Sequence, residues 1–118
     1  MKTEYRERVE ATVNMPSNDV LTIFHRDIMR IVDDTQNIVK LCLINENLKK
    51  AEKVYNEGIE SLKELATCYV NVHNAPWLFR NAEYNNALST LYGLKGMIEP
   101  CIQYNLWVKN NKRRFKDS

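Results

Sequence analysis

Apolar residues recur along this chain in alternating steps of three and four, the repeat of a helix that buries one face. The first clear run is Leu21, Phe24, Ile28, Ile31, Thr35, Ile38 and Cys42. It follows Pro16-Ser17-Asn18-Asp19, where Asn18 or Asp19 is placed to accept hydrogen bonds from the free amides of a first turn, and it fades at Asn45-Glu46-Asn47. The pattern predicts a helix over about 19–44. A second run, Leu48, Ala51, Tyr55, Gly58, Leu62, Leu65, Tyr69 and Val72, follows almost at once, so the two helices should form an antiparallel hairpin with Gly58 as its weak point. Between 71 and 81 the repeat breaks around Pro76, which lacks an amide proton and holds Ala75 away from helical angles; a loop or short turn is expected. A third run, Tyr84, Ala87, Leu91, Leu94, Ile98 and Cys101, widened by Leu88 and Ile102, predicts a helix reaching about 110 with a bend at Pro100. Tyr5, Val9 and Val13, at steps of four, predict a short opening helix closed by Met15-Pro16.

The simplest packing of these segments is all-α: an antiparallel up-down four-helix bundle with a short first helix, forming one domain over 1–118 that ends in a basic tail from about 109. Composition agrees with it. In 118 residues, 44% hydrophobic and 27% charged positions argue against disorder, and three glycines with three prolines are too few for a many-stranded sandwich. A short first helix leaves the seams of the two long helices incompletely covered, so self-association is expected. No apolar run approaches the roughly 18 residues that span a bilayer, and the charged start has no apolar signal region behind it, which points to the cytoplasm and to no membrane partner.

Catalytic chemistry is not legible. The three cysteines, Cys42, Cys68 and Cys101, lie far apart on or beside apolar stripes and read as small buried hydrophobes, with no paired spacing for zinc or redox work. His25 and His73 belong to no cluster and read as solvated or structural. There is no glycine-rich phosphate loop, no nucleophile elbow and no His-Glu-x-x-His; Asp33-Asp34 and Glu57, Glu60 and Glu64 read as solvated helix faces. The expectation is a protein without catalytic residues, metal or cofactor.

Charge adds more than its net value of +2. The tail carries Lys109, Lys112, Arg113, Arg114 and Lys116 against the single acid Asp117. In an up-down bundle that tail shares an end with the connection bearing Lys40, Lys49, Lys50 and Lys53, and with the chain start bearing Lys2, Arg6 and Arg8. Lys49, Lys50 and Lys53 sit in the opening turns of a helix, where the macrodipole disfavours cations, so their placement gains nothing for the fold. A polyanion would explain it, since each neutralised phosphate releases condensed counterions. Candidate nucleic-acid contacts, to an RNA or DNA backbone, are therefore Lys40, Lys49, Lys50, Lys53, Lys109, Lys112, Arg113, Arg114 and Lys116, with Tyr104, Trp107 and Phe115 interleaved as candidates to stack on unpaired bases. A different class of function is carried by Trp77-Leu78-Phe79, three large apolar residues beside Pro76: Trp77 and Phe79 are candidate anchors of a protein-binding adaptor, or a cap on the core.

The layout over 15–108 resembles the accessory variability determinant proteins of diversity-generating retroelements, which are four-helix bundles. Met15-Pro16 resembles the close of that family's first helix, and Phe24-His25-Arg26-Asp27-Ile28 the opening of its second. Leu48-Lys49-Lys50-Ala51 through Ile59-Glu60-Ser61-Leu62-Lys63-Glu64-Leu65 resembles its third, and Leu91-Tyr92-Gly93-Leu94-Lys95-Gly96-Met97-Ile98 with Trp107 its last. The resemblance implies a homopentamer with a basic, nucleic-acid-binding surface that docks onto a reverse transcriptase and has no catalytic centre. The short first helix and Pro100 depart from that family's pattern.

Overall fold

The structure, a computed structural model, describes residues 2–111, and side chains from Tyr5 onward. It is all-helical among these residues: α1 (Lys2–Glu10), α2 (Ser17–Ile44), α3 (Leu48–His73), a 3-10 helix (Pro76–Arg80), α4 (Ala82–Gly93) and α5 (Lys95–Asn110). The molecule is elongated, 69 × 24 × 17 Å.

The ends of these helices follow from local chemistry. α2 begins without a side-chain cap: Pro16 stands at its N-cap and the Pro16 carbonyl accepts from the amides of Asp19 and Val20, so neither Asn18 nor Asp19 takes the capping role expected of them. Asp19 instead sets a carboxylate in the first turn, where the helix dipole favours it. α2 ends where Glu46 turns left-handed (φ 58°), with the Glu46 amide donating to Leu43 and the Asn47 amide to Cys42, the pair of bonds that closes a Schellman turn. The Asn47 side chain then caps α3 by accepting from the Lys50 amide, and Asn81 caps α4 by accepting from that of Tyr84. α3 stops at Asn74, also left-handed (φ 48°).

Thr35 meets Gly58, and Asp27 meets Tyr69, so α3 retraces α2. Gly58, the expected weak point of the helix, is buried, and an added Cβ would stand 2.5 Å from Thr35 Oγ1, so its lack of a side chain lets the helices approach. The core between them holds Phe24, Ile28, Leu62, Leu65 and Tyr69, each essentially inaccessible, and α4 adds Leu91. Burying each large side chain contributes roughly 1.5–3 kcal/mol. Two positions leave the expected stripes. Ile38 is exposed while Val39 is buried, because 3.6 residues per turn carries a strict three-four alternation off the core face. Val13 is exposed because α1 ends at Glu10 and the chain turns away.

α4 and α5 follow one another almost without interruption, since Leu94 keeps right-handed helical angles. The helix is interrupted at Leu94, whose amide bonds back to Leu91, three residues before it, while Pro100 lies inside α5. Two helix-weakening glycines, Gly93 and Gly96, bracket that point.

Candidate nucleic-acid interface

The α2–α3 turn and the middle of α5 lie together: Leu43 and Leu48 share a cleft of about 280 Å³ with Pro100, Cys101 and Tyr104. Lys40, Lys49, Lys50 and Lys53 are all exposed around this turn, and Lys109 is exposed in the last turn of α5. The apolar stripe of α5 runs Ile98, Ile102; its next positions at helical spacing are Asn105 and Lys109, so the stripe turns polar as the helix passes the turn. Tyr104 and Trp107 stack on each other here, ring centroids 6.3 Å apart and 29° from parallel, with Tyr104 63% and Trp107 49% exposed. Lys112, Arg113, Arg114, Lys116 and Phe115 lie outside the described residues.

The chain start does not join this cluster. α1 packs on α3 with Tyr5 beside Thr35 and Ser61, and its C-terminal turn reaches the opposite end of the bundle. Arg8 donates to Asp27, the Arg6 guanidinium lies 3.8 Å from Glu10, and the Thr12 hydroxyl meets His73 Nε2 at 2.8 Å. A helix of nine residues cannot run the length of α2 at 1.5 Å per residue, so Arg6 and Arg8 fall well short of the α2–α3 turn. The expected convergence of three basic groups thus loses the cations of α1.

Asp27, which carried no role in the sequence pattern, is the main buried polar group. Its side chain is 3% exposed and accepts from both Arg8 and the Tyr69 hydroxyl, the latter at 3.0 Å. Burial, and then the Asp27 carboxylate, push the Tyr69 hydroxyl well above the usual tyrosine range. Tyr69 stacks on His73 and packs against Phe24, so this cluster ties α1, α2 and α3 together as structure. Thr12 donates to the Val9 carbonyl at 2.6 Å, which leaves His73 Nε2–H to donate to Thr12: a structural histidine. His25 Nε2 is buried, beside the Phe24 ring, without a hydrogen-bond partner among the described residues.

The cysteines are free thiols. Cys42 is buried as a small hydrophobe; Cys68 and Cys101 are half-buried. Burial pushes the Cys68 thiol up, with Arg6 opposing, which works against a reactive thiolate. No group of three or more His, Cys, Asp or Glu among the described residues is arranged to hold a metal ion, and no helix there is long and apolar enough to cross a membrane.

No family model, curated protein or solved structure matches the chain.

At the far end, the Trp77-Leu78-Phe79 segment divides. Leu78 is buried as a cap on the core, whereas Trp77 (57%) and Phe79 (41%) are exposed. Trp77 borders a cavity of about 240 Å³ lined by Met15, Val20, Leu21, His73 and Leu78.

Proposed function

We propose that this chain is a non-catalytic, nucleic-acid-binding accessory protein built as an antiparallel up-down bundle, with its contact surface at the α2–α3 turn and the end of α5. What supports the reading is that Lys40, Lys49, Lys50 and Lys53 are exposed on either side of the α2–α3 turn, that this turn shares a cleft with Tyr104 of α5, and that Lys109 is exposed in the last turn of that helix. A cluster of this kind is an electrostatic footprint for a phosphate backbone. The chain's resemblance to the accessory proteins of diversity-generating retroelements extends the proposal to association with a reverse transcriptase in the cytoplasm and to a homopentamer. Self-association is supported separately by the groove between α2 and α3, which Ile38 lines, and by Leu41 and Ile44, which stand exposed further along α2.

The test is a fluorescence-anisotropy titration of the full chain with labelled RNA and DNA oligonucleotides. Five or more phosphate contacts should lower affinity about a hundredfold between roughly 50 and 200 mM salt, with little dependence on sequence. Light scattering at micromolar concentration should give a mass above the monomer. Absence of binding at the lower salt contradicts the nucleic-acid reading; a strictly monomeric mass contradicts the assembly.

A second reading is favoured by the exposed Trp77 and Phe79 beside their cavity: a protein-binding adaptor that uses the other end of the bundle. It predicts that neither oligonucleotide binds at either salt.

A further inference from the structure

Resting on the nucleic-acid reading above, we propose that the end of α5 is a base seat for single-stranded nucleic acid, with Tyr104 as the stacking platform. Three observations support it. First, Tyr104 is the most exposed aromatic side chain of the described residues, and Trp107, one turn on, stacks against it from the same helix. Two rings held by a helical backbone present a face to a base with little further ordering. Second, Tyr104 also lines the cleft against the α2–α3 turn, whose other walls are Leu43, Leu48 and Pro100 and whose polar members are Glu46 and Asn105. Asn105 can donate and accept, and Glu46 accepts, which suits the edge of a base. The Glu46 carboxylate repels phosphate, so what enters between these walls is a base and not the backbone. Third, exposed cations flank the lining residues along each helix: Lys40 lies one turn before Leu43 on α2, Lys49 follows Leu48, and Lys109 follows Asn105 at the next turn of α5. Phosphates outside and a base inside describe a strand whose bases are unpaired, since duplex bases have no free face to offer.

The experiment compares three labelled probes of equal length on the full chain: oligo(dA), an abasic strand with the same phosphates, and a duplex. Oligo(dA) should bind more tightly than the other two. Tyr104→Ala should weaken oligo(dA) roughly 5- to 100-fold while leaving the abasic strand and the salt slope unchanged, and Tyr104→Phe should keep the stacking. In a Trp77→Phe background, oligo(dA) should quench the emission of Trp107, then the sole tryptophan. Equal affinity for oligo(dA) and the abasic strand, or an unchanged ratio in Tyr104→Ala, overturns the base seat while leaving backbone binding intact. If none of the probes binds, the nucleic-acid reading itself fails and the seat with it. A fall in the mass of Tyr104→Ala by light scattering, with the oligo(dA) ratio unchanged, assigns the aromatic pair to a contact between copies and also overturns the seat.

Discussion

A methyl group at Gly58 would have to share space with Thr35, whose Oγ1, Cγ2 and Cβ stand 2.5, 2.6 and 3.0 Å from where it would sit. Alanine is the better helix former by about 1 kcal/mol, but overpacking a tight crossing costs about 1–3 kcal/mol. Gly58→Ala should therefore lower the urea midpoint, and it should do so much less in a Thr35→Ala background, where the two nearest atoms are gone. Tyr69 gives a test by pH. Its hydroxyl ionises above the ordinary value of 10.0 when folded, so the folded state holds that proton more tightly than the unfolded chain does. The contribution to stability is complete below the unfolded value and is lost as pH rises past it. Thermal melts should fall on the alkaline side, and Tyr69→Phe should flatten part of that fall; an unchanged alkaline limb would contradict the assignment. Neither Asp27 nor its partners were legible as a unit, because Arg8 and Tyr69 lie 19 and 42 residues away. The available signal was a lone acid flanked on one helical face by Phe24, Ile28 and Ile31.

Among the elements, the turn between α2 and α3 makes a compact hairpin at some cost, for Glu46 adopts a left-handed conformation that favours glycine. Glu46→Gly should stabilise the protein by up to about 1 kcal/mol in denaturant titrations, since both Schellman bonds are made by the backbone and survive the change. A loss of stability would mean that the Glu46 side chain holds the turn. The long helices were readable in the sequence to within a few residues, because Phe24, Ile28, Leu62, Leu65 and Leu91 recur at the spacing of a buried face. Their detail was less readable. The cap at Pro16 uses a backbone carbonyl that any residue carries, and the interruption at Leu94 lies between two glycines too isolated in the sequence to mark a helix end.

At the scale of the whole molecule, the reach of α1 separates its cations from those of the α2–α3 turn. Charge read segment by segment places α1 cations at the turn only if α1 runs the full length of the bundle; α1 has nine residues and α2 has 28, so Arg6 and Arg8 fall short of it. What remains is a smaller cationic end with an aromatic pair on it, and the division of Trp77 and Phe79 from Leu78 at the other. The central claim is that the cations of the turn and those of α5 act on one strand. The most direct measurement is the slope of log affinity against log salt for the wild type, for a Lys49→Ala/Lys50→Ala/Lys53→Ala variant and for Lys109→Ala, with Asp33→Lys/Asp34→Lys as the distant control. Each lost phosphate contact should reduce the slope by roughly 0.7–0.9, so the triple variant should lose more than two and Lys109→Ala about one. The control should change affinity far less, because screening over a Debye length of about 8 Å isolates surface charges that distant. Undiminished affinity and an unchanged slope in both lysine variants would contradict the account.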